Sequence, residues 1–298
     1  MTPALSSRTV RPAPPGLLSL ALEVAGRLAN DAADVITATA GRGGKPDTGD
    51  SPFDWVTDTA RTLELHTRRV LVSEFPGIPV VCENARFPDT AFEPSPAGQP
   101  VGPGAEPESE SESAAAYRWL VDPVDGTTNY VAGMPWCAYS LALVDQWGPV
   151  VGVVADPYRA QIYAAARGRG MRANGTPVRL TDRGTADGAI VCTELGRSGS
   201  WPGLGTFIGT AAGARTTVRV LGSAALSVAQ VALGHAVAAV LHDYREWDVA
   251  GALALAAESG AVVLDRSGHP APLPVDGLLV AAPSAARDVL DWWRSATG

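Results

Sequence analysis

The first regular pattern of apolar and polar residues along the chain predicts an amphipathic helix over residues 17–40. Apolar residues recur there at three- and four-residue steps, which places them on one face of a helix. A cluster of glycines at 41, 43 and 44 then favours a helix end. Residues 1–16 carry several prolines and no such pattern, so we expect a flexible tail. The face is formed by Leu18, Leu22, Ala25, Leu28, Ala29, Ala32, Ala33 and Ile36.

The rest of the chain mixes short apolar runs with a few longer periodic stretches. Between residues 137 and 166 the runs are separated by Gly/Pro turns, which predicts an antiparallel meander. No steady alternation of strand and helix is present, so a parallel doubly wound sheet is not expected. Further helices are predicted at 59–75, 223–233, 248–259 and 284–295. Strands are predicted at 53–57, 78–82, 117–121, 137–145, 149–156, 161–166, 189–193, 217–221, 236–242, 261–264 and 277–281.

Residues 85–116 interrupt this pattern with Pro, Gly, Ser and Glu in low-complexity order. Such a composition cannot bury a core. Glutamates alternate with Pro and Ser from 106 to 112, which could suggest a cation site. We interpret the stretch instead as a solvated flexible loop inserted in the fold.

Composition and charge narrow the class of protein. A chain of 298 residues fits one or two domains. The net charge of −8 and the lack of a Lys/Arg block argue against a nucleic-acid partner. No apolar stretch is long enough for a membrane span, and we predict no signal peptide. Three widely spaced cysteines without metal-site spacing favour reduced, buried thiols and a cytoplasmic protein.

The most informative segment is Asp-Pro-Val-Asp-Gly-Thr-Thr-Asn-Tyr at residues 122–130. Two carboxylates, Asp122 and Asp125, follow a predicted strand in a turn stiffened by Pro123. The small residues that come next can turn backbone N–H groups toward an anion. Carboxylates beside an anion-binding turn are consistent with Mg²⁺, which bridges protein acids and substrate phosphate. The alternative is an Asp-rich turn held by its own hydrogen bonds.

A second acid lies in Trp-Asp-Val-Ala-Gly-Ala, residues 247–252. Asp248 begins a predicted helix there, where a carboxylate is also a routine N-cap. A third acid, Glu83, follows the strand predicted at 78–82 and on its own would be read as a surface residue.

Together, the two motifs resemble those of the inositol monophosphatase family. Leu221-Gly222-Ser223-Ala224-Ala225 and Glu258-Ser259-Gly260-Ala261 are also similar to family signatures, and the resemblance covers about residues 17–295. It implies an α/β fold, a layered α-β-α-β-α sandwich with mixed and antiparallel sheets. We expect an N-terminal half over 17–185, with the insertion at 85–116, and a C-terminal half over 186–298. Dimers are common in the family, so the resemblance also implies a homodimer.

The resemblance further implies Mg²⁺-dependent hydrolysis of the phosphomonoester of a small phosphorylated metabolite. Two Mg²⁺ ions are expected, and a weak third is left open. Carried over by position, the metal ligands are Glu83, Asp122, the carbonyl of Val124, Asp125 and Asp248. The catalytic residues are Glu83, Asp125 and Thr127. Phosphate and substrate would be bound by Gly126, Thr127, Thr128, Ser223, Ala224 and His242.

Three positions depart from the family pattern. Ala60 replaces an acid that partners the motif threonine, and Asn84 replaces the second of two adjacent acids. Asp58 lies two residues before Ala60, and the alternative that it supplies the missing carboxylate is left open. The family's substrate-side acid falls near Leu241, with His242 and Asp243 as neighbours, and its loss argues against myo-inositol phosphate. Two alternatives therefore stay open: a phosphatase of nucleotide-type or specialised-pathway substrates, and a catalytically decayed member that acts as a binding protein.

Overall fold

Two β-sheets, with helices between them and on both outer faces, form the part of the chain that the computed structural model describes. The described residues are 13–42, 47–48, 55–83, 117–182, 184–196 and 199–298. The expectations for residues 1–12 of the tail, for Asn84 and for the insertion at 85–116 fall outside them and stay predictions.

The larger sheet has seven strands in the order β3-β4-β5-β6-β7-β8-β9. Only the β3–β4 pair is parallel, and every other neighbouring pair is antiparallel. The predicted meander is thus confirmed, and two further strands extend it. A separate two-stranded pair, β1 with β2, precedes it. The bounds are β1 Asp47–Thr48, β2 Trp55–Val56, β3 Val80–Cys82, β4 Arg118–Asp125, β5 Ala138–Asp145, β6 Gly148–Asp156, β7 Gln161–Ala166, β8 Gly170–Ala173 and β9 Thr176–Val178.

The smaller sheet has five strands in the order β11-β10-β12-β14-β13. Strand β10 is parallel to both of its neighbours, so the carboxyl ends of β10, β11 and β12 lie at one edge. The remaining pairs are antiparallel. The bounds are β10 Ile190–Thr193, β11 Thr217–Val220, β12 Ala238–Leu241, β13 Val262–Asp265 and β14 Leu278–Ala281.

In the described part of the chain, seven helices form three layers around the two sheets. Helices α1 and α2 cover one face of the larger sheet, α5 and α6 lie between the sheets, and α4 and α7 cover the outer face of the smaller one. This is the expected layered α/β sandwich. The bounds are α1 Pro15–Thr39, α2 Asp58–Glu74, α3 Thr127–Ala132, α4 Leu204–Gly213, α5 Ala224–Ala232, α6 Glu246–Ser259 and α7 Ala286–Thr297, with a 3₁₀ turn at Pro157–Arg159.

Several local expectations need correction. The flexible tail predicted at 1–16 is wrong for residues 15 and 16, which form the start of helix α1. Strand β4 does not end at residue 121 but runs on to Asp125, so both motif aspartates lie in the strand. Helix α6 begins at Glu246, two residues earlier than predicted. Helix α4 was not predicted, because glycines at 205, 209 and 213 lower its intrinsic helix propensity.

The interior is apolar and contains the three thiols. Cys82, Cys137 and Cys192 are all buried and not disulfide-bonded, which confirms the prediction of reduced, buried thiols. Among the described helices, none combines the length and the apolar character needed to cross a lipid bilayer.

Candidate active site

The two motif aspartates sit in the last four residues of strand β4, inside the molecule. Asp122 is 2% exposed and Asp125 8%. The pairing of β4 with β5 is irregular between them, where Pro123 interrupts the ladder. The Oδ1 atom of Asp122 accepts a hydrogen bond from the backbone N–H of Val124 at 3.1 Å. The strand thus fixes both acids in buried positions.

The turn after the strand depends on Gly126. Its φ of +83° lies in the left-handed region, and a Cβ there would lie 2.7 Å from the carbonyl oxygen of Gly222. Only glycine fits such a position without strain. Helix α3 begins directly afterwards, and the hydroxyl of Thr127 donates to the Val124 carbonyl at 2.9 Å. Thr128 is exposed.

The first turn of α5 holds the carboxylate of Asp125. Its Oδ2 atom accepts hydrogen bonds from the hydroxyl of Ser223 and from the N–H of Ala225, the latter at 2.8 Å. The Ser223 oxygen also accepts from the N–H of Leu226 at 3.2 Å, which caps the helix. Burial raises the pKa of Asp125 to about 6, although these hydrogen bonds favour its charged form. Ser223 therefore binds Asp125 in this structure and is itself 1% exposed.

Acids from three separate segments act on Asp122. Burial raises its pKa well above the usual range, and the charges of Glu83, Asp125 and Asp248 raise it further. Glu83 follows β3, where its N–H donates to the Val121 carbonyl at 3.3 Å. Like charges must lie close to act on one another inside a protein. The charges of Glu83, Asp125 and Asp248 thus all act on Asp122, although these acids come from three separate segments of the chain.

Asp248 has a second role as a helix cap. It is the third residue of α6, and its Oδ2 atom accepts from the N–H of Arg245 at 2.7 Å. Both interpretations of this acid, the cap and the member of the acidic site, are therefore compatible with the structure.

The donors at this site fit a hard divalent cation by their chemistry. Four carboxylates and the Val124 carbonyl supply oxygen atoms, the ligands that Mg²⁺ prefers. Within the described ranges, no three His, Cys, Asp or Glu side chains stand close enough to form a ready-made metal site. The acids thus converge without forming a closed coordination shell. A cation among them would offset the repulsion that raises the pKa of Asp122.

His242 lies apart from the acids, at the edge of the smaller sheet. Because side chains alternate along a strand, Leu241 is buried between the sheets while His242 faces the outer helices. Its ring stacks on Trp201 at 5.3 Å, nearly parallel, and Arg266 lies 3.2 Å from its Nε2 atom. Burial and the Arg266 charge lower the pKa of His242. The structure therefore does not bring this predicted substrate residue to the other site residues.

Glu194 lies near the site and is not predicted from the sequence. Glu194 directly follows β10, is 8% exposed and accepts hydrogen bonds from the segment that holds Asp125. A single Glu after a short strand resembles a surface residue. The sequence feature that indicates its burial is the strand Ile190–Thr193, which is largely apolar and directly precedes Glu194.

Comparison with known proteins identifies the family. The family model described as "Inositol monophosphatase family" matches residues 18–292. The Nus factor SuhB of Pseudomonas aeruginosa is 34% identical over 162 residues, which cover 53% of this chain and 60% of that protein. The match thus spans less than two thirds of that relative's length.

Solved structures give the same fold over nearly the whole chain. The Thermotoga maritima IMPase matches with a TM-score of 0.76 and 24% identity, over 93% of this chain and 97% of that one. An IMPase/NADP phosphatase, solved with Mg²⁺ and phosphate, matches with a TM-score of 0.71 and 18% identity, over 92% and 95% of the two chains. At 24% and 18% sequence identity, the similarity to these two structures shows that the fold is shared.

Proposed function

The chain belongs to the inositol monophosphatase family, and on that basis we propose that it is a Mg²⁺-dependent phosphomonoesterase of a small phosphorylated metabolite. The observation that carries the proposal is that the charges of three other acids, Glu83 after β3, Asp125 in β4 and Asp248 in α6, act on the buried Asp122. Asp122 and Asp125 are buried and Glu83 and Asp248 are half-buried, and acids grouped in this way destabilise a fold unless a cation or a proton offsets their charge. The similar fold of a phosphatase solved with Mg²⁺ and phosphate supports the same choice of cation.

The proposed cation ligands are the carboxylates of Glu83, Asp122, Asp125 and Asp248 and the carbonyl of Val124. When bound, Mg²⁺ supplies positive charge that offsets the phosphate and makes water a stronger nucleophile at neutral pH. Two Mg²⁺ ions would suit this donor set. A third ion would lack the acid that Ala60 replaces.

The turn after β4 is proposed to bind the phosphate group. Gly126 and Thr127 lie at the start of α3, where backbone N–H groups have no partner within the helix. The Thr127 hydroxyl donates its hydrogen bond to the Val124 carbonyl. Its oxygen lone pairs therefore stay available to accept a hydrogen bond from the attacking water, with Glu83 as the acid that orients that water.

The substrate is proposed to be something other than myo-inositol phosphate. Leu241, at the position of the family's substrate-side acid, is 1% exposed and packs with apolar residues between the sheets. It offers no acceptor for a polyol hydroxyl. A sugar, nucleotide or specialised-pathway monophosphate then remains as the candidate class.

A second candidate function is binding without turnover, and Ala60 favours it. That position supplies a methyl group, 3% exposed, where the family has an acid. The intact Glu83, Asp122, Asp125 and Asp248 favour the enzyme instead.

The test compares two site variants with a matched control. Asp122→Asn and Asp248→Asn keep the side-chain shape but remove one negative charge each, so both should abolish Mg²⁺-dependent phosphate release while the far-UV circular dichroism spectrum stays unchanged. Asp291→Asn removes an exposed acid of α7 that pairs with Arg287 and should keep wild-type turnover. Near-wild-type turnover in both site variants would overturn the proposal.

We also propose a homodimer, as the family resemblance implies. Light scattering on the purified protein should give twice the mass of one chain; a monomer at all concentrations tested would contradict it.

A further inference from the structure

Glu194 is a buried carboxylate with two well-defined partners. Its Oε2 atom accepts from the backbone N–H of Gly222 at 2.6 Å, and its Oε1 atom accepts from the hydroxyl of Ser227 at 2.5 Å. Both partners flank the start of helix α5. Because Glu194 is 8% exposed, water cannot easily replace these bonds, and each lost acceptor would leave a buried donor unsatisfied.

The same helix start holds Asp125 from the other side. Ser223 and Ala225, which lie between the two partners of Glu194, donate to the Asp125 carboxylate. The two acids are close enough for the charge of Asp125 to raise the pKa of Glu194, which reaches about 7 mainly because of burial. Glu194 therefore holds the turn at 222–225 through the Gly222 N–H, and the same turn holds Asp125 through Ser223 and Ala225.

We propose that Glu194 is a positioning residue that sets the Asp125 carboxylate for the divalent cation by fixing the turn at residues 222–225. The inference rests on the proposed function above and extends it to a residue that touches neither the cation nor the substrate. Residues that orient metal ligands in this way typically change metal affinity by about 10- to 100-fold when they are removed.

The position of Glu194 explains why a carboxylate is used there. It directly follows β10 at the sheet edge where β11 also ends, and β11 leads into the turn that Glu194 holds. Helix α5 presents the N–H of Ala225 to Asp125, while Glu194 accepts from the Gly222 N–H just before the helix and from the Ser227 hydroxyl within it. The positive end of the helix dipole stabilises negative charge near this helix start. The start of α5 thereby connects Glu194, at the edge of the smaller sheet, with Asp125 at the end of β4.

Two substitutions at Glu194 separate positioning from general stability. Glu194→Gln keeps an acceptor for the Gly222 N–H and a hydrogen-bonding group for Ser227, so the turn should stay in place. Glu194→Leu keeps similar bulk but removes both acceptors. Thr216→Val serves as the control, because it removes one buried hydrogen bond of the smaller sheet, from Thr216 to the Ala186 carbonyl at 2.6 Å, away from the acids.

The measurement is Mg²⁺ affinity by titration calorimetry, together with the Mg²⁺ half-saturation and the KM of turnover. Glu194→Leu should weaken Mg²⁺ binding by about ten-fold or more and leave the KM at saturating Mg²⁺ near the wild-type value. Glu194→Gln should restore most of the affinity. Thr216→Val should lower the melting temperature without changing Mg²⁺ affinity.

The outcomes distinguish this inference from the proposed function. If wild-type protein binds and uses Mg²⁺ but folded Glu194→Leu binds it as tightly, the positioning role is wrong and the proposed function stands. If Glu194→Leu does not fold, Ser227→Ala removes one donor alone and should weaken Mg²⁺ binding, and unchanged affinity there overturns the inference. If wild-type protein binds no Mg²⁺, both fail together.

Discussion

At the scale of single residues, Ala60 is the substitution with the clearest consequence. It lies in the first turn of α2, is 3% exposed, and its N–H donates to the Thr57 hydroxyl at 3.0 Å. The neighbouring Thr59 hydroxyl lies 2.8 Å from that of Tyr130 in α3, so this turn is tied to the helix that follows the acids. Asp58 does not take the place of the missing acid, because its side chain is 92% exposed and faces Arg61.

We predict that Ala60→Asp raises the rate of phosphate release or lowers the Mg²⁺ concentration needed. An added acid gives the attacking water a better acceptor, and a well-placed general base contributes about 10²-fold or more. Turnover against Mg²⁺ concentration measures the effect, and Asp58→Ala should stay near wild type. If Ala60→Asp is neutral or harmful and Asp58→Ala cripples the enzyme, Asp58 supplies the carboxylate after all.

The raised pKa values predict how the stability of the metal-free protein depends on pH. Asp125, with a pKa of about 6, and Asp122 bind protons more tightly when folded than when unfolded. Their contribution to stability is therefore present at low pH and is lost as pH rises from about 4 through the folded pKa values. One pKa unit corresponds to about 1.4 kcal/mol, so the melting temperature should fall measurably across this range.

Thermal unfolding of wild type and Asp125→Asn at pH 5 and pH 8, with EDTA, checks this dependence. The decrease toward pH 8 should be smaller in the variant, and Mg²⁺ should offset it in wild type alone. Identical pH profiles in the two proteins would show that Asp125 does not titrate as its burial implies.

At the scale of elements, α6 approaches the larger sheet very closely. A Cβ on Gly152 of β6 would lie 2.3 Å from the carbonyl oxygen of Gly251, and one on Gly251 would lie 2.6 Å from the Ser140 hydroxyl. The glycine of the Trp-Asp motif thus lets the helix press onto β5 and β6. This approach brings the first turn of α6, with Asp248, to the acids of β4.

An ion pair fastens the same helix start to β4. The guanidinium of Arg118 forms a two-pronged hydrogen-bonded pair with the Glu246 carboxylate, one bond being 2.8 Å long. The side chains are 39% and 29% exposed, so solvent screens part of the attraction.

We predict a coupling free energy of about 0.5–1 kcal/mol between Arg118 and Glu246. A double-mutant cycle of Arg118→Met and Glu246→Gln by urea unfolding isolates it, since each single variant alone also loses other contacts. A coupling indistinguishable from zero would mean that the pair does not help to hold α6 in place.

Element boundaries show where sequence patterns reach their limit. The sequence predicts a turn at Asp122 and Asp125 because carboxylates rarely lie inside a strand, yet both continue β4 and are paired with β5. The sequence predicts Asp248 as the first residue of its helix, whereas its side chain caps the backbone from the third position. In each case a candidate site acid occupies a position that local propensity disfavours.

At the scale of the whole molecule, the layered fold followed from motif resemblance and not from periodicity. Hydrophobic patterns located most strands and helices, but they carry no information on which strands pair across the chain. The same limit applies to the site: Glu83, Asp122 and Asp248 lie far apart in sequence, and only the family motifs connected them. Glu194 belongs to no motif that was recognised, so its contacts became visible only in three dimensions.

The insertion at 85–116 is predicted to be dispensable for folding. Its composition offers few apolar groups to offset the entropy of ordering. The strands on either side, β3 and β4, pair directly with each other. Replacing it with a short Gly/Ser linker should change the melting temperature by only a few degrees, and a collapse of thermal stability would show that the segment packs on the core.

Mg²⁺-dependent hydrolysis of a phosphomonoester is the activity that we propose for the acids that follow β3 and lie in β4 and α6. The most direct measurement is the release of inorganic phosphate by wild-type protein from a panel of sugar, polyol, histidinol and nucleotide monophosphates, with Mg²⁺ and with EDTA. We predict release from at least one compound that requires Mg²⁺. Folded protein that releases phosphate from none of them at saturating Mg²⁺ would contradict this account and favour the binding protein.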